Sequence, residues 1–239
     1  MLSPTTELLI YLEHNTQASI AELKKWRSKS FRGIIGKLEA QTLIKKIKSN
    51  NKSFYKLTDR GLQYLDSILE NLHKKTAQVN RWTIVIFSIP EKERSKRDKL
   101  RRYLQKRGFG SLYGSTWILP SKPGTGEKIH QYASQLNISQ NVIVLDGVGN
   151  PNDNRKIVAG VWNLKKISYS YKDYIKRAKA KIKTLKKNNP DTSFEAKKLI
   201  FDLASIISTD PNLPSNQLPN DWPKDQAIEL YQEIRKKIT

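Results

Sequence analysis

Leu43-Ile44-Lys45-Lys46-Ile47-Lys48 and Ser53-Phe54-Tyr55-Lys56-Leu57 lie on either side of Ser49-Asn50-Asn51-Lys52. Apolar residues alternating with polar ones mark a half-buried strand, and a polar stretch with two asparagines is turn material, so these residues predict a β-hairpin. Upstream, a helix from about Ser30 places Phe31, Ile34, Ile35 and Leu38 on one face. Before it, Ser19 is expected to cap a helix carrying Ile20, Leu23 and Trp26. Thr5 is expected to cap an earlier one carrying Leu8, Leu9, Tyr11 and Leu12. Downstream, Thr58-Asp59-Arg60-Gly61-Leu62 opens a further helix running to about Lys75. Helices, a turn and a polar hairpin in this order predict a winged helix-turn-helix over residues 1–76, the smallest unit that pushes side chains into a DNA major groove.

Two further regions follow. Residues 80–148 open on the strand Trp82-Thr83-Ile84-Val85-Ile86-Phe87-Ser88-Ile89, ended by Pro90. A charged helix from Glu91 to Arg107 stops at Gly108. Short strands at 110–113 and 116–119, a helix from Gly126 to Leu136, and Val142-Ile143-Val144-Leu145 complete a β-α-β-β-α-β order. That order predicts a ferredoxin-like domain. The Gly-, Asn- and Asp-rich stretch from Gly147 to Arg155 reads as a boundary loop. Residues 156–239 read as helical, with a basic helix from Tyr169 to Lys187, a break at Asn188-Asn189-Pro190, a helix from Ser193 to Ser208, a Pro-punctuated loop and a last helix from Asp225. The fold class is therefore α+β with several domains.

The 239 residues carry 44 Lys and Arg against 22 Asp and Glu, a formal charge of +22. Such an excess repels itself unless a polyanion neutralises it, which leaves DNA, RNA or an anionic membrane surface as partners. No apolar run approaches the roughly 20 residues of a membrane span, and Met1 is not followed by a signal-peptide pattern. The expectation is a cytoplasmic, nucleoid-associated protein that binds no membrane. The absence of cysteine removes disulfides, thiolate metal sites and Cys nucleophiles.

If Phe31, Ile34, Ile35 and Leu38 face the core, then Ser28, Lys29, Ser30, Arg32, Gly33 and Lys37 belong to the DNA side. Arg32 is the candidate base reader, because its planar fork matches guanine O6 and N7 together. Lys29 and Lys37 suit phosphates. Lys46, Lys48, Asn50, Asn51 and Lys52 of the hairpin are expected to meet backbone or minor groove. Gly33 and Gly36 sit badly in a helix, at about 1 kcal/mol each against alanine. Either packing supplies the missing helicity or a partner approaches closely there. Pro123-Gly124-Thr125-Gly126-Glu127-Lys128 lacks the phosphate-loop spacing and reads as a turn. His14, His73 and His130 have no metal spacing, and no catalytic constellation stands out. No cofactor and no enzymatic activity are expected.

Three sets of residues resemble the PaaX family of bacterial transcriptional regulators. Ser30-Phe31-Arg32 through Leu43-Ile44 and Tyr55-x-Leu57-Thr58-x-x-Gly61 resemble its recognition helix and post-wing motif. Trp82 to Pro90, Arg101, Gly108-Phe109-Gly110 and Trp117-Ile118-x-Pro120 resemble its central domain. Asp210-Pro211-x-Leu213-Pro214 and Leu218-Pro219-x-x-Trp222-Pro223-x-x-x-Ala227 resemble its C-terminal signature. The resemblance implies a homodimeric repressor, with residues 80–148 dimerising and residues 156–239 responding to an aryl-CoA thioester such as phenylacetyl-CoA. The central region is also similar to the small CRISPR spacer-acquisition subunit, a ferredoxin-like dimer in which an Asp ending the first strand accompanies metal-dependent nuclease activity. Here that position is Ser88, and a hydroxyl is not the anionic ligand a hard Mg²⁺ favours. A nuclease of that type and a non-specific architectural nucleic-acid binder are the alternatives to a regulator.

Overall fold

The computed structural model describes residues 2–26, 31–49, 52–73, 81–185 and 190–238. They form a mixed α+β fold with two antiparallel sheets. The chain divides into two compact units, Met1–His73 with Lys172–Ser205 and Asp225–Thr239, and Lys74–Tyr171 with Ile206–Lys224.

In the first unit, α1 (Pro4–Asn15) begins two residues earlier than the sequence suggests. Ser3, not Thr5, is its cap: the Ser3 hydroxyl accepts from the Thr6 amide at 3.1 Å, and Pro4 occupies the first helical position, where no amide hydrogen is needed. The short strand β1 (Ala18–Ser19) leads into α2 (Ile20–Trp26). There Ser19 and Glu22 form a capping box, with the Ser19 amide donating to Glu22 Oε2 at 2.7 Å and the Glu22 amide to Ser19 Oγ at 3.3 Å. These bonds hold the Glu22 carboxyl below its ordinary pKa.

Helix α3 (Phe31–Ala40) buries Phe31, Ile35 and Leu38. Strands β2 (Ile44–Ser49) and β3 (Lys52–Leu57) pair antiparallel from Ile44↔Leu57 to Ser49↔Lys52, and β1 adds to the far side of β3. Thr58 caps α4 (Asp59–Leu69), accepting from the Gly61 amide at 3.1 Å while donating to the Thr42 carbonyl at 2.6 Å. A Cβ on Gly61 would land on the Leu43 carbonyl oxygen, which already accepts from the Thr58 amide. The Leu57-Thr58-x-x-Gly61 pattern is thus the joint at which α4 meets the start of β2. Gly61→Ala is expected to lose about 1–3 kcal/mol through overpacking against rigid backbone, read as a lower midpoint in urea.

The core of this unit gathers Leu8, Leu9, Leu12, Leu23, Phe31, Ile35, Leu38, Leu43, Leu57 and Leu65, together with Phe201 from α9 (Pro190–Thr209). Helix α9 also docks on α1 through Phe194, edge-on to Tyr11 at 5.8 Å, and through the ion pairs Lys197–Glu13 at 2.6 Å and Lys198–Glu7 at 3.0 Å.

The second unit holds a four-stranded antiparallel sheet in the order β5-β6-β4-β7. Its strands are β4 (Arg81–Phe87), β5 (Gly110–Tyr113), β6 (Thr116–Pro120) and β7 (Val142–Val148). Helix α5 (Arg94–Lys106), preceded by a 3₁₀ turn at Glu91–Glu93, and α6 (Thr125–Gln135) complete the β-α-β-β-α-β order read from the sequence. Gly108, at φ 87°, ends the α5 segment in the left-handed region. One sheet face packs Val85, Phe87, Trp117 and Val142 onto Leu100, Leu104, Ile129 and Ala133.

The other face carries a helix that the sequence reading missed. The stretch 147–155 is not a loop throughout, because α7 (Pro151–Val161) starts inside it. Asn150 caps α7, accepting from the Asp153 amide at 2.9 Å. Trp82, Ile118, Val158, Trp162 and Leu213 form the core beneath it, tied by the Trp82 indole donating to Asn154 Oδ1 at 2.7 Å. The basic helix, expected from Tyr169 to Lys187, is α8 (Leu164–Ile182). The last helix is α10 (Lys224–Ile238).

Candidate nucleic-acid interface

Because α3 turns Phe31, Ile35 and Leu38 inward, helical geometry puts Arg32, Gly33, Gly36 and Lys37 outside, and all four are exposed. A Cβ built on Gly33 or on Gly36 meets nothing within 4 Å. Neither glycine takes a positive φ. No described neighbour therefore requires glycine at either position, while the buried face of α3 supplies packing that keeps the segment helical. Ser28, Lys29 and Ser30 lie outside the described residues, as do Asn50 and Asn51.

The hairpin presents cations on both faces. Lys46 and Lys48 share one face and are exposed, and Lys52 is exposed at the tip opposite Ser49. Two lysines not singled out from the sequence complete the set: Lys45 and Lys56 are direct cross-strand partners, both exposed. Like charges directly opposite destabilise a hairpin. Finding them needed the pairing register, since alternation alone does not say which lysine faces which. No acidic residue occurs between Leu43 and Thr58 to offset the five lysines.

The first unit also encloses a cavity of about 580 Å³ between α1, α8 and α9. Leu2, Pro4, Ala180 and Leu199 form its apolar wall. Its cations are each matched: Arg177 by Asp202 at 2.5 Å, Lys181 by Glu195 at 3.8 Å, and Lys198 by Glu7 at 3.0 Å. Burial lowers the Lys198 pKa, but its hydrogen bond to Glu7 and the Glu195 charge outweigh that and leave it above the ordinary lysine value. Beside the cavity, burial and then the Asp202 charge push the Tyr174 phenol above its usual range, so it stays protonated.

In the second unit Ser88 follows β4 and is exposed. Its amide donates to the Asn141 carbonyl at 2.9 Å, and its carbonyl accepts from Asn141 Nδ2 at 2.8 Å. A hydroxyl and a side-chain amide make a neutral donor set, not one built for a divalent cation. Among the described residues no group of three or more His, Asp or Glu is placed to hold a metal ion.

The central sheet with its two helices is a Cas2-like fold: residues 76–158 match the PaaX protein central Cas2-like domain. Residues 162–239 match the PaaX-like protein C-terminal domain, and the chain belongs to the PaaX family. These domains fit a transcriptional regulator rather than an enzyme. Among solved structures, the fold is similar to that of the uncharacterized protein Rv0674 from Mycobacterium tuberculosis. The two are 16% identical, with a TM-score of 0.54 over 95% of this chain and 91% of that one. No curated protein matches the chain. Among the described residues no helix is long and apolar enough to cross a membrane.

Proposed function

We propose that the protein is a sequence-specific, DNA-binding regulator of transcription whose first 76 residues form a winged helix-turn-helix, with α3 as recognition helix and β2–β3 as wing. The observation that carries this reading is the outer face of α3. Arg32 and Lys37 flank two glycines that cost the free helix about 2 kcal/mol together and that no described neighbour requires. A phosphodiester backbone or base edge coming close to the helix is what makes small residues useful there. The hairpin lysines supply the sequence-independent share of the affinity.

Homodimerisation through the central region is part of the proposal. Ile86, Ile143 and Leu145 stand 37%, 56% and 51% exposed on neighbouring strands, with Ile86 directly opposite Ile143, an apolar patch suited to a second copy. PaaX membership points to genes of phenylacetic acid breakdown and to an aryl-CoA thioester as effector. The cavity between α1, α8 and α9 has room for the aryl-acyl group. Each of its cations already faces a carboxylate, so the phosphates of a CoA carrier find no uncommitted charge in that lining.

Footprinting on the promoter of the protein's own operon is expected to protect an inverted repeat whose half-sites lie one or more helical turns, about 10 base pairs each, apart. Absence of protection removes the proposal. Arg32→Ala is expected to lose roughly 1–3 kcal/mol of discrimination at one base pair. An equal loss on every sequence makes Arg32 a phosphate contact only.

A further inference from the structure

Helix α8 separates its charges by side. Facing inward, Arg177 is held by Asp173 at 2.8 Å and Asp202 at 2.5 Å, and Lys181 by Glu195. Facing outward, Lys172, Lys176 and Lys179 of α8 and Lys183, in the turn directly after it, are all exposed. At about 100° per residue these four fall within an arc of about 60°, and at 1.5 Å per residue they extend over roughly 16 Å. Lys176, Lys179 and Lys183 have no ion pair among the described residues. Next to the end of the row, Lys237 of α10 donates to the Ile182 carbonyl at 3.2 Å, which brings the exposed Lys236 alongside.

Carboxylates thus stand wherever a cation of this part of α8 turns toward α9, and among the described residues none pairs with Lys176, Lys179 or Lys183. A solvated helix face gains from alternating signs, whereas like charges three or four residues apart destabilise it. The row holds three such pairs, whose mutual repulsion a line of anions relieves.

We propose that Lys172, Lys176, Lys179 and Lys183 form a second contact to the phosphate backbone of duplex DNA, on the flank of the bases met by α3. The proposal rests on the reading of α3 as recognition helix. Its reach follows from the packing: α8 lies on α9 through Arg177–Asp202, α9 on α1 through Phe194–Tyr11, and α1 shares its core with α3. Three helix-to-helix steps of about 8–10 Å keep α8 within about 30 Å of α3. One turn of duplex is about 34 Å. A duplex continuing beyond the recognised bases therefore comes within range of the lysine row.

The test uses the full chain, the triple variant Lys176→Gln/Lys179→Gln/Lys183→Gln, and a random-sequence 40-base-pair duplex titrated at several salt concentrations. Removing three phosphate contacts is expected to reduce the log–log salt slope by about 2.7 and the affinity at low salt by at least tenfold. The melting temperature should not fall, since these side chains are exposed. A slope change below 1 overturns the proposal, as does an unchanged slope with loss of binding to phosphatidylserine vesicles, which would make the row a membrane contact. A reduced slope in a protein showing no preference for its own promoter keeps the row and removes the recognition reading instead. No binding by the unaltered chain to the random-sequence duplex or to its promoter removes both.

Discussion

Replacing both Gly33 and Gly36 by alanine is expected to make the protein more stable and a poorer DNA binder. Each alanine removes about 1 kcal/mol of helix-interior penalty, and each new methyl enters open space with no backbone strain. At roughly 2–4 °C per kcal/mol for a chain of this size, the melting temperature should rise by about 4–8 °C. On the DNA side the same methyls stand between α3 and whatever approaches it. An overpacked contact costs about 1–3 kcal/mol, so affinity for the promoter should fall about tenfold or more. The opposite signs are what make the experiment informative, because loss of folding cannot produce a stabler protein. Unchanged affinity in the stabilised variant would remove α3 from the interface.

The second large effect is expected at Asp210, which explains the Asp-Pro-x-Leu-Pro signature in physical terms. Asp210 is 2% exposed and accepts from the Tyr171 hydroxyl at 2.7 Å and from the Asn212 amide at 2.7 Å. Its carboxylate lies 3.9 Å from Lys224, which also donates to the Asn212 side chain. Trp222 meets Tyr171 edge-on at 6.0 Å. Nearby, burial and then the Lys224 charge hold the Lys122 ammonium below its ordinary pKa, with Asp210 opposing them. Asp210→Ala leaves two partly buried lysines without that anion. Breaking such an arrangement costs about 3–5 kcal/mol, or roughly 6–20 °C in melting temperature. Asp210→Asn keeps one acceptor, for the Asn212 amide, and offers the Tyr171 hydroxyl an N–H donor in place of the second, so it should lose distinctly less. Equal losses in the two variants would assign the whole effect to the charge, and no loss in Asp210→Asn would show that the charge contributes nothing.

What the sequence disclosed and what it hid follow from the range of the forces involved. The inward face of α3 was legible because Phe31, Ile35 and Leu38 recur at helical spacing, and the hairpin because alternation survives in so short a stretch. The helix α7 was hidden by composition: Asn, Asp and Gly between 147 and 155 resemble a loop. Yet Asn150-Pro151 followed by Asp153 is a helix start, in which the cap side chain accepts and the proline needs no donor. Nothing local marks Phe194 and Phe201 as belonging with α1. Their apolar faces say only that they are covered, and the partner lies well over a hundred residues upstream. The opposition of Lys45 and Lys56 was equally out of reach until the register was known. The candidate site was thus readable where helical periodicity defined it and obscure where strand pairing did.

The insertion of Phe201 into the core built by residues 8–65 has a consequence for how the protein is made. Those residues leave the ribosome before α9, and the side chain that completes their core is encoded well over a hundred codons later. At about 5–20 residues per second, the nascent N-terminal segment waits at least roughly 7–30 s with an apolar socket open. Synthesis halted before α9 yields an N-terminal segment lacking part of its own interior. Residues 8–65 and α9 thus share one core, and a change to either is felt by the other.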